Sequence, residues 1–397
     1  MVTMNDDIRP SNQNTNIHTE NKPWQQSHTG PSAHQPKPSN GKRPWWKLRM
    51  PRTRKEWIIT IAVAVAIIAG LIAAYFIWFK PDPAPVIKAT KTINKPVEKP
   101  TPITSTLTGL PISDASVNDR PVTAVMIENS PDARPQSGID QAGVVFEAQA
   151  EGGITRFLTL FQDSEPGYIG PVRSVRPYYI QWLMGFDAAV AHVGGSGEAL
   201  QNLKDWGAKD LDQFHNPAPY HRISSRYAPH NMYTSIAGLR DLEAKKGFGK
   251  ANYTGFARKA EAKSATPNAT SIDFAISGAL YNAHFDYNAE TNSYSRSEGG
   301  KPHMVVDEAG AQKQLAPKVV VGLIMPKGNN GIYSTYNTIG SGQAFVFQDG
   351  VVTIGTWHKA DNKTNFTFTD ANGAELKLNP GQTWLTALGS ANSVTYK

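Results

Sequence analysis

The sequence predicts an α+β / α/β N-terminal ectodomain followed by a mostly antiparallel β C-terminal domain, with one N-terminal transmembrane helix in front of both. Three observations carry this prediction. An uncharged run, IITIAVAVAIIAGLIAAYFIWF, occupies Ile58–Phe79. From about Leu107 to Ala262, short β-rich runs alternate with helix signals. After Pro267, strand-like runs succeed one another with turn dipeptides between them.

The uncharged run matches the ~20 residues that cross a ~30 Å hydrocarbon core. Trp57, Tyr75 and Trp78 lie near its ends, where interfacial aromatics are favoured. It exceeds the ~7–15 apolar residues of a cleaved signal peptide, and no A-x-A cleavage pattern follows before Lys80. Arg43, Lys47, Arg49, Arg52, Arg54 and Lys55 precede it, so the positive-inside rule leaves the N-terminus in the cytoplasm and residues 80–397 outside. Residues 57–79 are thus expected to have membrane lipid as their partner.

Residues 1–56 read as a disordered basic cytoplasmic tail, rich in Asn, Gln, Ser and Pro with too few large apolar side chains to offset the entropy of ordering. Residues 80–106 read as a Pro/Lys-rich stalk, where proline favours extended chain. In 107–262, Val122–Glu128, Val144–Ala148, Arg156–Phe161 and Ala188–Val193 are expected strands. Pro177 opens one expected helix, and Ser235–Lys246 with Gly247 after it forms another. Residues 263–271 (KSATPNATS) have loop composition and are the expected linker. In 272–397 the expected strands are Ile272–Ile276, Ala283–Tyr287, Val319–Ile324, Ala344–Phe347, Val351–Trp357, Phe366–Thr369 and Glu375–Leu378. Asp349-Gly350 and Asn372-Gly373 are hairpin signals between them.

Charge and composition exclude several functions. Residues 1–79 hold 10 Lys and Arg against 4 Asp and Glu, and residues 80–397 hold 30 against 29. Nearly all of the formal +7 therefore sits in the tail, and the ectodomain lacks the basic field that nucleic-acid binding needs. The chain has no cysteine, which excludes disulfides, thiolate metal sites, a thiol nucleophile and a lipidated N-terminal Cys. No His pair stands in a HExxH pattern or at i, i+4 on an expected helix, so no metal and no cofactor are expected.

The densest polar cluster runs through Glu128, Glu147, Glu151, Arg156, Arg173, Ser174 and Arg176. Charges beside apolar strands are costly unless paired or placed at strand ends. Arg173 and Arg176 flank Ser174 before a helix start, where guanidinium forks and helix N–H groups suit a carboxylate or phosphate. The competing reading is a set of internal arginine–carboxylate pairs. Gly194-Gly195-Ser196-Gly197 follows an expected strand and opens a helix, so Gly195 and Ser196 could cradle an anion or simply form a tight turn. His221 and His230 flank Arg222 and Arg226 on a loop-like stretch, which suits a sugar, carboxylate or phosphate, or else a solvated loop.

Several of these residues carry a family resemblance. Pro121–Asn129 (PVTAVMIEN), Ala133–Gly138 (ARPQSG), Ala142–Phe161 (AGVVFEAQAEGGITRFLTLF), Gly170–Arg176 (GPVRSVR), His192–Gly195 and Pro229–Asn231 resemble the YerB-like lipoprotein family, as do Gly355–Lys359 (GTWHK) and Leu378–Leu385 (LNPGQTWL). The resemblance runs from about residue 107 to the end. It implies a two-domain extracytoplasmic protein of unknown function tethered to a membrane, and it brings no activity or cofactor. Many relatives resemble lipoproteins with a lipidated Cys; here Ile58–Phe79 stands in place of that anchor. The expected function is binding of a cell-envelope component: an anionic glycan, a peptide or a protein partner. Two rivals stand beside it. One is an envelope-polymer hydrolase using Glu147 or Glu151 near Arg156, and the other is an interaction scaffold without a small ligand.

Overall fold

A computed structural model describes residues 53–79 and 102–397. The expectations for residues 1–52 and 80–101 lie outside the described residues. The chain divides into two compact units, the first ending at Ile93 and the second beginning at Asn94.

Among the described residues the first unit consists of helix α1 (Arg54–Trp78), of which no residue is buried. It starts four residues before the uncharged run because Thr53 and Glu56 form a capping box, each side chain accepting from the other's backbone N–H at 3.4 Å.

The second unit carries, in its N-terminal half, strands β1 (Thr123–Glu128), β2 (Val144–Glu151), β3 (Ile154–Phe161), β4 (Ala189–Ala191), β5 (Lys209–Asp210), β6 (Tyr220–Arg222) and β7 (Met232–Thr234). Helices α2 (Pro177–Met184), α3 (Gly197–Asp205) and α4 (Ile236–Lys245) lie in the same half. Pro177 occupies the first turn of α2, while Ser196 and Ser235 cap α3 and α4 by accepting from backbone N–H groups. The C-terminal half adds β8 (Ser271–Phe274), β9 (Ala283–Asn288), β10 (Ser293–Glu298), β11 (Lys301–Pro302), β12 (Met304–Val306), β13 (Gln312–Gln314) and β14 (Val319–Ile324). It continues with β15 (Lys327–Asn330), β16 (Tyr333–Tyr336), β17 (Gly340–Gln348), β18 (Val351–Lys359), β19 (Thr367–Thr369), β20 (Thr383–Leu388) and β21 (Val394–Tyr396).

Twelve strands form one mixed sheet in the order β19-β18-β17-β14-β20-β2-β3-β1-β4-β5, with the β15–β16 hairpin attached to β2 through Tyr333 and Glu151. The seam is β20. It runs parallel to β14 on one side and to β2 on the other, where Val144–Glu147 face Thr383–Thr386. The expected division at 263–271 is therefore not a break in the fold. Both halves complete one sheet, and the segment just before that stretch is tied down by Lys259, whose Nζ sits 2.5 Å from Asp349. A smaller antiparallel sheet, β11-β10-β9-β8-β21, lies outside the large one.

Alternation along the central strands separates two cores. On one face Met126, Phe146 and Leu158 pack with α2 and α3, where Phe146 stacks on Trp182 at 5.2 Å. On the other face Val125, Val145, Phe157 and Trp384 pack with α4 and the small sheet. Asp349-Gly350 turns β17 into β18 with both residues at positive φ, as its hairpin signal predicts. Glu375–Leu378 does not form the expected strand. It pairs only through single bridges at Glu375 and Leu378, so the Asn372-Gly373 turn has no full partner strand after it.

Candidate functional site

The expected carboxylate pair is split by the pleat of β2. Glu147 lies opposite Phe157 and Ala148 lies opposite Arg156, so Glu147 and the Arg156 side chain point to opposite faces. A bulge between Gln149 and Glu151 then brings Glu151 to the face of Arg156. Glu147 and Glu151 therefore cannot flank one substrate bond as an acid/base pair.

Glu147 is fully buried between the two sheets. Arg296 on β10 donates through Nη2 to both its oxygens at 3.0 and 2.9 Å, Trp384 Nε1 donates at 3.1 Å, and Thr155 Oγ1 donates at 3.3 Å. Burial pushes the carboxyl up to about 7, against the pull of Arg296. Arg296 also donates to His303 Nδ1, which leaves the proton on Nε2 for Gln136 Oε1 at 3.0 Å. Burial, then the charges of Arg296 and Arg134, push His303 well below its ordinary value, so its imidazole is neutral. Asn129 links the network by donating to Glu298 and to Thr155 at 2.6 Å each, and it accepts from Arg134 at 3.0 Å. This network ties β1, β2 and β3 to β10 and β20, and its chemistry is that of a structural ion cluster.

On the opposite face, Glu151 accepts from Arg156 at 2.7 Å and also from Arg176. Burial raises its pKa, but the two guanidinium groups outweigh that and hold it below the ordinary carboxylate value. Ser174 supplies its backbone carbonyl to Arg156 at 3.0 Å. Arg176 is the N-cap residue of α2 without capping it, and its guanidinium lies over the Tyr333 ring at 4.8 Å. Arg173 pairs instead with Glu128 at 3.2 Å. His230 joins that group, 3.0 Å from Glu128 and 3.2 Å from Ser130. The arginines expected at a ligand are thus internal partners of carboxylates.

The remaining candidates stand apart. Gly195 bridges Val175, and a Cβ there would sit 3.1 Å from both Val175 and Leu200, so close packing accounts for the glycine. His221 is exposed on β6 and paired in register with Tyr233, away from the hydrogen bonds of His230. Arg222 donates to Asn231 at 2.6 Å, and Arg226 donates to the carbonyls of Ala133 and Pro135 at 2.5 and 2.6 Å.

Sequence reading missed Arg134, Arg296 and Glu298. The signal was present in SYSRSE: Tyr294, Arg296 and Glu298 alternate in a run closed by Gly299, so an inward Tyr294 puts both charges inward as well.

Two clefts flank the β12–β13 hairpin. One, of about 550 Å³, is lined by Asp140, Tyr168, Asp307, Glu308 and Lys313. The other, of about 410 Å³, has walls from Pro131, Pro135, Leu280, Pro302 and Met304, with Arg134, Glu298, Lys301 and His303 converging on it. Each draws residues from both halves of the unit.

This architecture defines a class of two-part proteins in which each half completes the other's sheet, and the comparisons with known proteins agree. Residues 107–249 match the N-terminal domain, and residues 272–385 the C-terminal domain, of a family described as "Protein of unknown function (DUF3048)". The chain belongs to this YerB-like family. It is 29% identical over 289 residues to "Putative lipoprotein YerB" of Bacillus subtilis (strain 168), covering 70% of this chain and 84% of that protein. The crystal structure of YerB protein from Bacillus subtilis is similar, with a TM-score of 0.66 at 26% identity, covering 74% of this chain and 99% of the other.

Proposed function

We propose that this chain is a single-pass membrane protein whose folded unit stands outside the cytoplasm and binds an anionic component of the cell envelope. The observation that carries the reading is α1: 25 residues, apolar throughout its middle, with no buried side chain and a basic run before it. A relative named as a lipoprotein points the same way, and here a helix takes the place of a lipidated Cys.

The cleft at Arg134 and Lys301 supports the binding reading through Lys301, which is exposed, whereas Arg176 is paired with Glu151 and Arg173 lies beside Glu128. Lys301 is exposed and has no ion-pair partner among the described residues. Apolar walls with a few convergent polar groups are the usual make-up of a ligand site. The experiment has two arms on the full-length chain. A reporter fused after Lys397 should be active only outside the cytoplasm; cytoplasmic activity overturns the topology. Purified chain should co-sediment with anionic envelope polymer in a salt-sensitive way, and Lys301→Glu should weaken that at least ~10-fold with an unchanged melting temperature. Equal sedimentation of the two proteins overturns the cleft as the site.

A further inference from the structure

We propose that a second pocket, formed by α2, α3 and the β15–β16 hairpin, binds one ring of a neutral saccharide. Its volume is about 200 Å³. That is below the ~300–1,000 Å³ of pockets that enclose drug-sized ligands, so it fits a single ring of a longer chain.

The surfaces that would meet the ring are aromatic. Tyr178 is buried and held in place, its hydroxyl donating to the Gln149 carbonyl at 2.8 Å and its ring meeting Tyr336 edge-on at 4.9 Å. Trp206 closes the C-terminal end of α3, half-buried against the core. Tyr333 is half-buried, and Arg176 covers one of its faces. Rigid aromatic faces with polar groups at their edges suit the apolar face and the hydroxyl rim of a pyranose.

The polar groups are spare. Glu198 and Asn202 lie one helical turn apart on α3, in line with Trp206, and Asn330 lies across from them on β15. None of these three side chains has a hydrogen bond or ion pair among the described residues. A carboxylate and two amides supply acceptors and donors together, as vicinal hydroxyls require. The charges select against ionic ligands. Glu198 repels an anion, and Arg176 behind Tyr333 weakens the attraction of that ring for a cation. The proposal uses neither the Lys301 cleft nor the topology, so it stands or falls apart from them.

The test is calorimetric titration of the full-length chain in phosphatidylglycerol nanodiscs, which carry neither sugar detergent nor choline. The probes are a β-1,4-linked N-acetylglucosamine tetramer, maltotetraose, choline and lysine. At least one oligosaccharide should bind, and Trp206→Ala and the double variant Glu198→Gln/Asn202→Ala should each weaken it at least ~10-fold. The double variant changes only the outer face of α3, so its melting temperature should match wild type even if Trp206→Ala unfolds. Lys301→Glu should bind the sugar unchanged. Absence of binding to either oligosaccharide overturns the proposal, as does wild-type affinity in the double variant. Tighter binding of choline or lysine overturns it in favour of a cation site.

Discussion

Arg296 places a guanidinium among the rings of Trp384, Phe157 and Phe285, with centroids 4.7, 5.7 and 5.8 Å away, and neutralises Glu147 across the gap between the two sheets. Neither group reaches water, so each depends on the other for its charge. Removing one partner of such a pair costs ~3–5 kcal/mol, whereas replacing both by neutral groups of similar size is often close to neutral. Arg296→Ala should therefore lower unfolding free energy in urea by ~3–5 kcal/mol, and Arg296→Met with Glu147→Gln should recover most of that loss. A single variant within ~1 kcal/mol of wild type would show that the pair is not holding the sheets together. In the sequence, Glu147 and Arg156 were visible as costly charges beside apolar strands. Glu151, the partner of Arg156, stood in the same cluster; the partner of Glu147 was not visible, because Arg296 stands 149 positions away and only the packed sheets bring the two together.

At the scale of elements, α4 docks on β1 through Ile236 and Leu239, with Glu243 buried beneath it. Thr123 Oγ1 donates to its two oxygens at 2.9 and 3.1 Å, and the nearby charges are Arg240 and Lys209. Burial nevertheless pushes the carboxyl up to about 7. Its folded value lies above the ordinary 4.5, so the contribution to stability is fully present below ~4.5 and is lost as pH rises through about 7. Glu243→Gln should leave the melting temperature unchanged at pH 4.5 and raise it above wild type at pH 8. Thermal melts across that range check this, and parallel curves for the two proteins would contradict it. The helix itself was legible, because Ser235 and Gly247 bracket it. The depth of Glu243 was not, since an acidic residue on an amphipathic helix reads as solvated. Glu375–Leu378 failed in the opposite sense: strand composition did not make a strand where only single bridges were available.

For the whole molecule, the β20 seam makes folding of the two halves interdependent. Without residues 263–397, β2 loses its β20 neighbour and presents Val144–Glu147 as an unpaired edge, and Glu147 loses Arg296. Residues 102–262 expressed alone should therefore aggregate or stay unfolded, while 102–397 should fold and stay in solution. The 99% coverage of the YerB crystal chain by 74% of this one fits that expectation. Circular dichroism and size-exclusion chromatography of the two fragments decide it, and a monomeric, cooperatively melting 102–262 would refute the interdependence.

The sequence by itself determined the local features of this protein: a helix carrying an uncharged run of membrane length, the proline-opened helix α2 and the serine-capped helix α4, the β-rich runs of both halves, the Asp349-Gly350 hairpin and the family. Each rests on neighbours within one or two turns, where propensity, capping and period act directly. Only the tertiary structure decided that β20 joins the halves into one sheet, that Glu147 and Glu151 face apart, and that Arg173 and Arg176 are held by Glu128 and Glu151. Those outcomes depend on strand register and on pairings between residues far apart in the chain. A shift of one residue in register reverses every side chain's face, and composition leaves no trace of which register is adopted.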